Sequence, residues 1–150
     1  MERLKTTGEA IQFIVIKLGN EQYGINIKYV DNILRMQHIT RVPKVESYLK
    51  GVINLRGEVV PVMSVRTKMG LEEDVATKSS RIIIIKMEQH GYIGIIVDEV
   101  KEVVTLDMEQ IEKVAYDSKD DKSNFISGVG KCESGLISLL DLSLVLPENS

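Results

Sequence analysis

The chain of 150 residues has no tryptophan, two phenylalanines, two histidines and a single cysteine. Each shortage excludes something. Two Phe and five Tyr are too few for a platform that stacks single-stranded bases. The formal net charge is -3, so the basic excess that neutralises a phosphate backbone or an anionic bilayer is missing. One thiol, Cys132, cannot close an internal disulfide, which suits a reducing cytoplasm. The opening MERLKTTGEA has no apolar stretch of the kind a signal peptide carries. No apolar run reaches the roughly 18–20 residues that cross a bilayer. The longest, IIIIKM and YIGIIVDEVKEVV, are broken by charges. The reading is a cytoplasmic protein with no nucleic-acid partner and no membrane insertion. His38 and His90 sit in polar, turn-like settings, and no HxxH, HExxH or CxxC spacing exists, so no metal or other cofactor is expected.

What the chain does have is a globular balance, 43% apolar and 27% charged, enough to bury a core. Its apolar residues come in short runs rich in Ile and Val. IQFIVIKL (11–18) and QYGINI (22–27) read as paired strands around GNEQ. In IKYVDNIL (27–34) an amphipathic turn competes with strand. RMQHITRVP reads as a ragged strand ending before Pro43, and KVESYLKG as one helical turn stopped by Gly51. VINL and EVVPVMSV flank an Arg-Gly corner, and Pro61 in the second run predicts an edge or a bulge. A charged connector follows, then the pair RIIIIKM and YIGIIVDEV, a helix start at Asp107, a polar loop and the hairpin ISGVGKCESGLISLLDL. A last helical turn stops at Pro147. Many short strands without long helical patterns predict a sandwich or barrel.

The order of these runs repeats. GINIKYVDNIL at Gly24 echoes GIIVDEVKEVV at Gly94, and each follows a strand ending in Lys, IVIK (14–17) and IIIK (83–86). GVINLRGEVVPVMSV (51–65) echoes GVGKCESGLISLLDL (128–142). Three blocks in matching order, about 70 to 77 residues apart, argue for a duplicated unit. A unit of that size is marginal alone, so two should press together and share apolar surface. The expectation is an all-β fold of two small barrels. Lobe 1 spans about 11–70, the connector about 71–80 and lobe 2 about 81–146, with the terminal segments free to exchange between lobes.

No catalytic constellation emerges. Cys132 has Lys131 beside it but no histidine in its motif. GVGK ends like a phosphate loop, yet Phe125 stands where its first glycine belongs, and no Ser or Thr follows Lys131. Asp98 and Glu99 lie in the repeat, but the first copy has Lys28 and Tyr29 there, which a catalytic dyad would not tolerate. A buried polar pocket around them would favour a small-ligand-binding barrel or an enzyme. Otherwise an interaction module remains, because small antiparallel barrels offer loops and edges to partners.

The stretch VPKVESYLKGVINLRGEVVPVMSVRTKMGL (42–71) resembles the signature of the CheW family, the coupling proteins of bacterial chemotaxis. The carriers of the resemblance are Val-Pro, Tyr48, Gly51-Val52, Asn54-Leu55-Arg56-Gly57, Pro61-Val62 and Gly70-Leu71. It extends from about Phe13 to Leu146. The resemblance implies one CheW-like domain over 1–150, made of two five-stranded SH3-like barrels packed around a shared hydrophobic core with short helices. It implies no turnover. It implies an adaptor that joins the cytoplasmic tips of chemoreceptors to the regulatory domain of the histidine kinase CheA, recruited to receptor clusters at the inner face of the membrane. A CheW-like scaffold for a non-chemotaxis kinase is the alternative. The chain departs from the family at Asn32, where many members carry Glu, at Met63-Ser64 in place of Ile-Asp, and at Val45 in place of Pro.

The receptor contact is expected from Val30, Asn32, Asn54, Arg56, Gly57 and Ile82. Val30 is equally suited to the core, and Arg56 is either a direct contact or an internal clamp. Arg35, Met36 and Ile39 in RMQHI are the kinase-binding candidates, an apolar pair interrupting a polar run. Tyr116, the one ring in the charged loop 112–124, is the candidate array interface.

Overall fold

The computed structural model describes residues 10–88, 91–113 and 125–147. Among the described residues, eleven strands alternate with very short helices. They are β1 (Ile11–Leu18), β2 (Glu21–Asn26), β3 (Val30–Arg35), β4 (Leu49–Leu55), β5 (Glu58–Ser64), β6 (Arg81–Met87), β7 (Gly91–Val97), β8 (Glu99–Leu106), β9 (Ile111–Lys113), β10 (Ile126–Cys132) and β11 (Gly135–Leu140). Helices α1 (Val65–Lys68) and α2 (Leu142–Val145) follow β5 and β11. Single 3₁₀ turns occupy Ile27–Tyr29 and Met108–Gln110.

One sheet has the order β9-β10-β11-β2-β1-β8, the other β3-β6-β7-β5-β4. The sheets are not divided at the 71–80 connector. β1 and β2 pair with strands from the C-terminal half, and β6 and β7 pair with β3 and β5 from the N-terminal half. Each half of the sequence therefore gives strands to both barrels. The cause is local: after β2 and after β7 the chain crosses to the other sheet instead of turning back.

The duplication is visible in the hydrogen-bond register. β3 on β6 slips between Val30 and Asn32, and β8 on β1 slips at the equivalent place, between the partners of Val15 and Ile16. The parallel pair Gly24–Leu139 matches Gly94–Val62. Ser64 caps α1 and Asp141 caps α2.

Burial explains the Ile-rich runs. Ile14 and Ile16 of β1 face a central cluster that also holds Ile83, Ile85, Ile93 and Ile95 from the other sheet. The alternate residues Phe13 and Val15 face the core of their own barrel, as Ile82 and Ile84 face theirs. A strand buried on both faces loses its alternation and reads as a continuous apolar run.

Four expectations change. KVESYLKG forms no helix, and beyond Arg35, the last residue of β3, RMQHITRVP pairs only at Thr40, through one antiparallel bridge to Val52. Asp107 starts a single 3₁₀ turn, closed by a capping box with Gln110. Pro61 lies in an inner strand. Val52 exchanges both backbone bonds with Thr40, so the opposed Pro61 turns its nitrogen toward β7. Pairing with β7 starts one residue later, at Val62, and the missing N–H is not needed there.

Candidate functional site

The Asn54–Gly57 tip joins β4 to β5 with two residues of positive φ, Arg56 at 52° and Gly57 at 85°. That is a type I′ corner, the one whose twist matches the flanking strands. The Asn54 side-chain oxygen accepts the Gly57 N–H at 3.0 Å and fixes the corner. Asn54 and Gly57 thus shape the turn, and both are exposed.

Arg56 projects from this corner with 68% of its side chain exposed. It donates to Asp31 Oδ2 at 3.3 Å. Asp31 is the extra residue of the bulge between Val30 and Asn32. The ion pair brings Asn54, Arg56 and Gly57 beside Val30 and Asn32. It also joins hairpin and edge strand, which lie far apart in the sheet order. Val30 is half-buried against the central cluster. Asn32 is half-buried, and its side-chain oxygen accepts the Ile33 N–H at 2.9 Å. Ile82 is different: it is fully buried in the core of the first barrel, opposite Leu34. An inward-facing position in a doubly buried strand cannot offer a surface contact in the free chain.

Arg35 is exposed at the far end of β3, and Met36 and Ile39 are half-buried against the first barrel's core. At about 3.3 Å per residue, six residues of strand put Met36 roughly 20 Å from Val30. Tip and kinase candidates therefore occupy opposite ends of one edge strand. Tyr116 lies outside the described residues.

Sequence reasoning missed Asp31, whose only signal is its position at the echoed bulge. It also missed an apolar neighbour of the tip, Val59, which pairs with Asn54 and is 68% exposed. Asp98, without Glu99, lines a groove of about 300 Å³ beside Met36, Ile39 and Ile96, and its carboxylate is taken by Arg66. Its Nε and a terminal nitrogen donate to the two carboxylate oxygens at 3.0 and 2.5 Å, and the Gly19 N–H adds a bond at 2.7 Å. Burial pushes the Asp98 carboxyl up, but the bonds from Arg66 and Gly19 outweigh it and hold it below the usual carboxylate range. The bond to Asp98 in turn raises Arg66, against the cost of its burial. A carboxylate held this way is a structural tie between α1 and the β1–β2 and β7–β8 turns, and its lowered pKa makes it a weak base. Among the described residues no group of three His, Cys, Asp or Glu could hold a metal ion.

The CheW-like domain family matches residues 12–150. The chain is similar to the chemotaxis protein CheW of Bacillus subtilis strain 168, 38% identical over 144 residues that cover 96% of this chain and 90% of the relative. It is similar to the chemotaxis protein CheW of Klebsiella aerogenes, at 31% identity over 95% of this chain and 86% of the relative. Among solved structures it is similar to the scaffolding protein TtCheW from Thermoanaerobacter tengcongensis. The TM-score is 0.84 at 30% identity, covering 94% of this chain and 95% of that one.

Proposed function

Because the chain belongs to the CheW-like domain family, we propose that it is a non-enzymatic adaptor of bacterial chemotaxis that couples chemoreceptor tips to the histidine kinase CheA. It works in the cytoplasm, at receptor clusters on the inner face of the membrane. The hairpin tip with Val30 and Asn32 meets the receptor. Arg35, Met36 and Ile39, at the other end of β3, meet the kinase regulatory domain. One rigid edge strand then links the two partners.

The observation that carries this reading is the conformation of Arg56. A non-glycine residue at φ 52° is in the left-handed region, where Asn or Gly is the favoured choice for a type I′ corner. An arginine there costs on the order of 1 kcal/mol and persists where something other than stability holds it. Its one ion-pair partner in the described residues is Asp31, and with 68% of the Arg56 side chain exposed such a pair is worth about 0–1 kcal/mol. Its planar donors remain available to the carboxylates and carbonyls of a helical receptor tip.

The test is CheA autophosphorylation with receptor present, with and without this protein, and with Arg56→Asn. The wild-type chain should raise receptor-controlled kinase activity. Arg56→Asn should fold at least as stably, because the turn is relieved, and should lose most of the coupling. A variant that couples fully would remove Arg56 from the contact, and a variant that unfolds would make it a clamp. No effect of the wild-type chain on the kinase would overturn the adaptor reading.

A further inference from the structure

The two short helices begin at equivalent places in the repeat, with caps of different chemistry. Asp141 caps α2 with its own carboxylate, which accepts the Ser143 N–H at 3.0 Å and the Ser143 hydroxyl. Ser64 caps α1 by accepting the Thr67 N–H at 3.1 Å. Each satisfies a free backbone donor. A hydroxyl also has a proton to give, and a carboxylate has none. Ser64 is fully buried and gives its proton to Asp74 Oδ2, in the connector between α1 and β6. Ser64 is also where the chain departs from the Ile-Asp of the family pattern.

Only 15% of the Asp74 side chain is exposed. Its second oxygen, Oδ1, is buried without a hydrogen bond and faces Arg66 Nε at 4.0 Å. Arg66 directs its short bonds to Asp98 and to the Glu72 carbonyl. A carboxylate so far out of water depends on its donors, and the Ser64 hydroxyl is the one hydrogen-bond donor to Asp74 among the described residues. The connector is tied separately on both sides of this point. The Leu71 N–H donates to the Arg66 carbonyl at 2.8 Å, and Thr77 and Ser80 close a turn on each other. Between these ties, Glu73, Asp74, Val75 and Ala76 line the groove of about 300 Å³ that Met36 and Ile39 also line.

We propose that the Ser64–Asp74 bond is a tether that sets the shape of this groove, and that Asp74 is thereby a positioning residue for the kinase contact at Met36 and Ile39. The occupant that fits is an apolar side chain of the kinase, because Met36, Ile39, Val75, Ala76 and Ile96 all line the groove. The part that concerns the kinase rests on the adaptor reading. The tether itself concerns the chain alone. An aspartate at position 64 would still cap α1, but it would set a second carboxylate against Asp74 and expel the connector.

The test reads thiol alkylation by iodoacetamide in the full chain carrying Cys132→Ser and Ile96→Cys, since Ile96 is 6% exposed beside the connector. Adding Ser64→Asp should speed alkylation at position 96 severalfold. Adding Ser64→Asp together with Asp74→Ser should return the rate to its starting value, because the same bond forms with donor and acceptor exchanged. In a parallel chain carrying Leu139→Cys, in the core of the second barrel, neither change should alter the rate. Without the cysteine substitutions, affinity for the CheA regulatory domain should fall severalfold in Ser64→Asp and recover in the exchanged pair. An unchanged rate at position 96 would overturn the tether. Acceleration at both positions, or acceleration that the exchanged pair does not reverse, would overturn it as general loosening of the fold. A reversible change at position 96 with kinase affinity unaltered would overturn the positioning role of Asp74. A wild-type chain that does not bind the kinase would overturn the adaptor reading, while the alkylation rates would still decide the tether.

Discussion

Arg66 and Asp98 carry a charge pair inside a fold whose other buried side chains are almost all apolar. Only 16% of the Arg66 side chain and 26% of Asp98 are exposed. Removing one partner leaves the other charge poorly solvated, which costs 3–5 kcal/mol when burial is complete. With a quarter of Asp98 in water, Asp98→Asn should cost about 2 kcal/mol at neutral pH in urea unfolding. The pH dependence has a definite sign. The Asp98 carboxyl titrates lower in the folded chain than in the unfolded one. Its stabilisation is therefore complete above the unfolded value of about 3.9 and is lost as pH falls through the folded value. Asp98→Asn should flatten that acid limb. An unchanged limb would assign acid sensitivity to other carboxylates. At this scale the sequence was uneven in what it disclosed. The Asn54–Gly57 corner was legible because a two-residue turn has strict residue demands. The partners Asp31 and Asp98 were not, because an ion pair between distant segments leaves no local pattern.

Strands were legible in proportion to how many of their faces are buried. β1 and β6 are covered on both sides, so their runs leave no other assignment. The segment from Met36 to Tyr48 has one backbone bridge, Thr40 to Val52, and neither propensity nor periodicity marks it. That bridge explains Gly51. A β-carbon there would stand 2.1 Å from the Thr40 carbonyl oxygen, and φ is 143°. Its repeat mate Gly128 meets the Glu112 carbonyl at 2.9 Å. Gly57 has the opposite surroundings, φ 85° with nothing within 4 Å. Gly51→Ala should thus cost about 3 kcal/mol or more, since backbone must move as well as twist. Gly57→Ala should cost about 1 kcal/mol, the turn penalty alone. Equal costs in urea unfolding would mean that the Thr40 strand gives way freely, and that the bridge does not close the first barrel.

The duplicated unit was readable in the sequence as three echoed blocks, but which strands share a barrel was not. A repeat in sequence fixes what each copy contains, and leaves open whether a strand pairs within its copy or across to the other. Here pairing across wins. β3 leaves the first copy to pair with β6, and β8 leaves the second to pair with β1. Both parallel pairs, β11 with β2 and β5 with β7, also join the copies. The exchange lets Ile14, Ile16 and Ile25 share one central cluster with Ile83, Ile85 and Ile95. Neither copy can then close a sheet or a core without the other. A chain cut in the connector, between Ala76 and Thr77, should therefore give two fragments that are each unfolded by circular dichroism and proton NMR. Their long-range pairings are absent, and a lone copy of this size supports a core only marginally. Mixed in equal amounts, they should recover the β-rich spectrum of the intact chain and a cooperative unfolding transition, at lower stability because the two halves must now associate. A fragment that folds alone would mean that each copy can satisfy its own strands. The interleaved pairing would then be a consequence of covalent linkage and not a requirement of the core.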